Sequence, residues 1–138
     1  MNPLLWPLTV LTSEEQAERL LDAATQKIPD LRADGIGGTM HPPDLVHVAL
    51  CNDFLVTVRR RKSIDDRRTS VEMAAMLEPW AASKRIPPVT LNGALIAAAV
   101  GAGASYKACG LATLLNLSRS DFERRLNSLT RPYHRRQE

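Results

Sequence analysis

Between Thr90 and Ala104 the chain reads Thr-Leu-Asn-Gly-Ala-Leu-Ile-Ala-Ala-Ala-Val-Gly-Ala-Gly-Ala, a run without a single charged side chain. Alanine and leucine favour helix, and Gly101 or Gly103 is placed to end it. A helix that is apolar all round has no face to offer water and is expected to be buried on most sides. Gly93, Ala97 and Gly101 recur at spacing four, which lets a neighbouring backbone approach closely. Membrane helix pairs use the same spacing, but this run is shorter than the roughly 20 apolar residues a bilayer requires. Core packing is therefore the reading, and no membrane association is expected.

The rest of the chain is predicted to be a compact, mainly helical α+β domain with a small β-hairpin. At 138 residues and 44% hydrophobic composition it is one domain's worth of chain with enough apolar surface for a core. Residues 1–138 are taken as a single domain, 1–11 as a flexible leader and 131–138 as a basic tail. Thr12 and Glu15 have capping-box spacing ahead of Ala17, Leu20, Leu21, Ala24 and Ile28, predicting a helix over 13–28 ended by Pro29. Asp34 to Thr39, with three glycines, reads as a loop; it lacks both GxGxxG and GK[ST] spacing, so it is a connector rather than a phosphate cradle.

Residues 44–61 can be read two ways. Val46, Val48 and Leu50, then Phe54, Val56 and Val58, alternate around Asn52-Asp53 as a hairpin would, while Pro42-Pro43-Asp44 signals a helix start. The helix is preferred, with Arg59, Arg60 and Arg61 near the negative end of its dipole. Thr69 and Glu72 form a second capping box, opening a helix with Val71, Ala74, Ala75 and Leu77 inward and Pro79 ending or kinking it. Residues 105–108 and 112–117 are expected to pair around Cys109-Gly110-Leu111. Ser120 and Glu123 form a third box ahead of Phe122, Leu126 and Leu129.

Charge is divided along the chain. Residues 1–58 hold three Lys or Arg against eight Asp or Glu, whereas residues 59–138 hold fifteen against seven. The net +3 thus hides an acidic first part and a strongly basic second. Phosphate neutralisation by Lys and Arg releases counterions, and the planar guanidinium suits bidentate phosphate contact. Arg59, Arg60, Arg61, Lys62, Arg67, Arg68, Lys107, Arg124, Arg125, Arg135 and Arg136 are the candidate phosphate contacts, with Tyr133 a stacking candidate.

Catalytic and metal chemistry find less footing. His47 and Cys51 would share a helical face, but two ligands without partners do not make a metal site. No GxSxG is present, and Asp65-Asp66 sit among arginines that balance them. No catalytic residue, cofactor or metal is expected. Two cysteines are too few for a disulfide framework, and the first residues lack the pattern of a signal peptide, so a reducing, cytoplasmic setting is expected.

The predicted order over residues 69–129, helix, turn, helix, hairpin, helix, resembles a winged-helix arrangement. That resemblance implies DNA binding, yet the second helix offers mainly Ala, Leu, Ile, Val and Gly after Asn92, not the side chains that read base edges. Any contact would fall to the arginine clusters and to Lys107 on the wing. The expectation is a non-catalytic nucleic-acid-associated regulatory or accessory protein, with DNA the favoured partner. The alternative is a protein-interaction module, an adaptor or inhibitor that could be a homo-oligomer, suggested by the acidic first part and by Leu4, Leu5, Trp6 and Leu8.

Overall fold

The computed structural model of the chain describes residues 6–88 and 90–130. Helix α1 (Glu14–Lys27) starts from Ser13, whose hydroxyl accepts from the Gln16 N–H at 3.1 Å. The capping residue is thus Ser13 and not Thr12. Thr12 is buried instead, and its N–H and hydroxyl donate to Asp53 Oδ1 at 2.8 and 2.6 Å. A buried hydroxyl gains more from a charged acceptor than an exposed cap provides.

Where a loop was expected, β1 (Leu31–Arg32) and β2 (Gly35–Ile36) make a two-residue antiparallel pair. The Asp34 carboxylate closes the following turn, accepting from the N–H groups of Thr39 and Met40 at 3.1 and 3.2 Å. Helix α2 (Leu45–Leu55) confirms the helical reading of its segment but stops before the arginines. Its residues Val48 to Cys51 and Asp53 to Leu55 are all buried. A helix buried nearly all round loses its 3.6-residue signature, which is why its sequence could pass for alternating strands.

Helix α3 (Ser70–Ser83) opens with the expected reciprocal box between Thr69 and Glu72. Pro79 lies within it and does not end it; Pro79 and Ala75, the residue whose carbonyl it deprives of a donor, both face solvent. Met73, Ala74, Leu77, Trp80 and Ala81 point inward, whereas Val71 and Ala75, expected inward, are exposed.

Helix α4 (Asn92–Gly101) is the uncharged run, and every residue from Asn92 to Val100 is buried. It lies against α1, α2 and α3. The cap is Ala102, followed by Gly103 at φ 107°, a conformation that side chains with a Cβ rarely adopt. A methyl on Gly93 would meet Arg32 O at 1.9 Å, and one on Gly101 would meet Leu20 O at 2.2 Å. The spacing-four glycines do admit neighbouring backbones.

Strands β3 (Tyr106–Cys109) and β4 (Ala112–Leu115) pair antiparallel, Tyr106 opposite Leu115 and Lys107 opposite Leu114, with Gly110 at φ 64° in the turn. Helix α5 (Arg119–Thr130) begins earlier than Ser120, because Ser118 Oγ accepts from the Asp121 N–H at 3.1 Å and caps it. Phe122 is fully buried, its ring 4.9 Å from Phe54, which in turn meets Trp80 edge-on at 5.6 Å. Such pairs add about 0.5–1.5 kcal/mol beyond the area they bury.

The element order of the winged-helix resemblance is present, but the helix in the reading position is the buried α4. Of the expected leader, Val10 is buried, the Trp6 indole donates to Thr12 O at 3.2 Å, and the Leu11 N–H donates to Asp53 Oδ2 at 2.8 Å. Residues 1–5 and the expected tail, 131–138 with Tyr133, lie outside the described residues. Among the described residues, no helix is long and apolar enough to cross a membrane.

Candidate functional site

The linker between α2 and α3 does not wander over the surface. Ser118 N–H donates to Arg59 O at 2.8 Å, Arg61 N–H to Asn116 O at 2.6 Å and Asp65 N–H to Leu115 O at 3.1 Å, with Arg60 bridged to Leu117. The linker therefore runs antiparallel beside the end of β4, opposite β3. Asn116 joins the three segments: its Oδ1 accepts from the Ser105 N–H at 2.9 Å and its Nδ2 donates to Arg61 O at 2.8 Å. Sequence reasoning passed over Asn116. Its signal was one amide in the otherwise apolar run Leu114 to Leu117.

A buried polar hub anchors this ribbon to the helices. Asn92 Oδ1 accepts from the Ser70 hydroxyl at 2.7 Å, and Asn92 Nδ2 donates to the carbonyls of Asp34 and Leu111, each at 3.1 Å. Ser70 Oγ accepts from the Thr113 N–H at 2.9 Å. α3, α4, the hairpin and the β1–β2 turn meet at these two side chains.

The basic residues divide into those already committed and those free. Asp121, only 6% exposed, accepts from Arg59 Nε at 2.8 Å and Nη2 at 3.2 Å, from the Arg59 N–H at 3.1 Å, and from Arg124 at 3.2 Å. These donors, Arg59 first, hold its carboxyl down at about 2. Asp65 takes Arg67 through Nε and Nη2 at 3.1 and 3.2 Å, which pulls its pKa below the usual carboxylate range; Arg119 lies 3.8 Å away. Glu123 pairs with Arg68 at 2.9 Å and lies 3.7 Å from Arg119.

Other arginines serve the fold. Arg60 Nη1 donates to the carbonyl of Ala102, the cap of α4, so it compensates the negative end of that helix rather than the end of α2 as expected. Arg125 lies over the Phe54 ring at 5.9 Å and donates to Asp53 O at 3.5 Å. Arg68 also reaches Met76 Sδ.

Arg61, Lys62 and Lys107 are exposed, and their side chains make no hydrogen bond or ion pair among the described residues. The register sets Arg61 and Lys107 on the outward face of the ribbon, about 12 Å apart by strand spacing and rise. Arg135 and Arg136 lie outside the described residues.

The remaining sequence candidates are occupied differently. His47 Nδ1 lies 3.6 Å from Asp44 and His41 Nδ1 3.9 Å, while burial lowers the pKa of His47. Cys51 is fully buried, and burial together with Asp53 pushes its thiol far up. No group of three or more His, Cys, Asp or Glu among the described residues is arranged to hold a metal ion. The chain matches no known family profile, no curated protein and no solved structure.

Proposed function

We propose that the protein is a non-catalytic nucleic-acid-associated accessory or regulatory protein that contacts phosphates through the ribbon of β3, β4 and the 59–65 linker. The observation that carries this reading is the set Arg61, Lys62 and Lys107: exposed cations without side-chain partners among the described residues, carried on a hydrogen-bonded ribbon. Exposed cations of this kind position a protein on a phosphate backbone and carry little sequence information. DNA is the favoured partner. A reducing, cytoplasmic setting suits the free thiols of Cys51 and Cys109.

The test uses the combined variant R61Q, K62Q and K107Q. Fluorescence anisotropy with duplex DNA over a range of salt concentrations should show the slope of log K against log[salt] reduced by roughly 2 to 3, because each neutralised phosphate contributes about 0.9. An unchanged slope refutes the assignment. Charge reversal at Arg59 or Arg60 would not serve, since it also releases Asp121 and uncaps α4.

A second reading, a protein-interaction module, is favoured by a cleft of about 300 Å³ at the ends of α2 and α4. Leu55, Val58, Ala98, Ala99 and Leu117 line it, with the exposed Val56 at its edge. Light scattering that shows a strict monomer, with no partner retained through purification, counts against this reading.

A further inference from the structure

A second pocket, of about 180 Å³, opens where the linker passes the first turn of α5, lined by Arg61, Arg67, Ser118, Arg119, Ser120 and Glu123. We propose that it binds a phosphate monoester group, a terminal phosphate rather than an internal diester; this rests on the reading of the basic face as phosphate-binding.

Arg119 Nε is buried without a hydrogen-bond partner among the described residues, 3.8 Å from Asp65, and Arg119 Nη1 stands 3.7 Å from Glu123, so the guanidinium is flanked by two carboxylates and hydrogen-bonded to neither. The Arg61 guanidinium has no partner among the described residues. Each carries five N–H donors in a planar fork and no acceptor. Arg67 gives its Nε–H and one Nη2–H to Asp65, which leaves its Nη1 N–H groups without a hydrogen bond among the described residues.

The serine hydroxyls lie 3.3 Å apart at the same place. Ser118 Oγ also accepts from the Asp121 N–H; one hydroxyl proton is shared between the two serines, and the other is left to donate. Against an anion stand Glu123, neutralised by Arg68 at 2.9 Å, and Asp65 behind Arg67. The positive end of the α5 dipole adds to the field of the guanidiniums.

A monoester offers three acceptor oxygens and close to two charges, matching the unpaired Arg61 fork, the Nη groups of Arg119 and Arg67, and the serine pair. An internal diester offers one charge and two free oxygens, and its chain must leave the pocket in both directions. The chemistry thus favours a chain end or a small phosphorylated molecule, and the experiment separates these sources.

The full chain, labelled with ¹⁵N, is titrated with inorganic phosphate at constant ionic strength while the Arg119 Nε–H resonance is followed. A saturable shift is expected, weakened roughly tenfold by R61Q, whose side chain supports nothing in the fold, and strengthened by E123Q. An Arg119 resonance that does not respond to phosphate overturns the proposal, as does an R61Q variant that binds phosphate like the parent chain.

A parallel titration compares one oligonucleotide with a 5′-phosphate and the same oligonucleotide with a 5′-hydroxyl. Tighter binding of the phosphorylated strand by about tenfold places a strand end in the pocket. Equal binding, with Arg119 still responding to inorganic phosphate, assigns the pocket to a small phosphomonoester. Failure of both strands to bind removes the nucleic-acid reading, while the inorganic phosphate titration still decides the pocket.

Discussion

Replacing Gly93 by alanine probes the feature on which the fold turns. In an exposed helix this exchange gains about 1 kcal/mol, because glycine is the poorer helix former. At Gly93 the added methyl would lie 1.9 Å from Arg32 O and 2.8 Å from Arg32 C, backbone atoms that cannot rotate aside. An ordinary C···O contact is about 3.3 Å, so the β1 segment and α4 must separate by about 1.4 Å. Overpacking of this kind costs about 1–3 kcal/mol. The separation also stretches the bond from the Gly93 N–H to Ala33 O, now 2.9 Å, at a cost of about 1 kcal/mol.

Set against the helix gain, the net expectation is a loss of about 2 kcal/mol. With a urea m-value of about 2 kcal/mol/M, the unfolding midpoint should fall by about 1 M at unchanged m. G101A meets Leu20 O at 2.2 Å and should cost a similar amount. The two glycines are eight residues apart, about 12 Å along the helix, so their effects should add and the double variant should approach the limit of folding. The exposed Ala75 of α3 supplies the control, since A75G should lose about 1 kcal/mol by propensity alone. A G93A chain as stable as the parent, or more so, refutes the claim that close backbone approach selects glycine here.

Two further outcomes follow from the charges and thiols. The Asp121 carboxyl, held at about 2 mainly by Arg59, contributes stability that is fully present above the ordinary carboxylate range and is lost as pH falls towards 2. D121N should therefore be less stable than the parent at neutral pH, and the gap should close in acid; a gap independent of pH refutes the assignment. Of the two thiols, Cys109 is exposed and Cys51 is fully buried with its pKa pushed up. A thiol reagent should modify Cys109 alone in the native protein and Cys51 only on unfolding. Rapid modification of both would contradict the packing of α2.

How far the sequence could be read depended on how local each signal was. The Thr69 and Glu72 box appears as expected because both halves of the interaction lie within one turn and face solvent, where nothing competes. Thr12 and Ser120 carry the same local pattern, yet the caps are Ser13 and Ser118. The nearby Asp53 claims Thr12 from across the fold, and the linker draws Ser118 into the ribbon by bonding its N–H to Arg59 O. The arginine clusters were visible as composition, but which of those charges remain free was not. Asp121 is 62 residues from Arg59, and only folding brings them into contact.

The sequence by itself determined that an uncharged helix must be buried and that its glycines leave room for a neighbouring backbone. It also determined that positive charge must gather on the second half of the chain. Burial and propensity act on each residue wherever the chain takes it, so these conclusions need no knowledge of neighbours. Tertiary structure alone decided that Arg59, Arg67 and Arg68 are spent on carboxylates and Arg60 on a helix end, leaving Arg61, Lys62 and Lys107 open. Pairing depends on distances of a few ångströms between segments far apart in the chain, and no count of charges contains those distances.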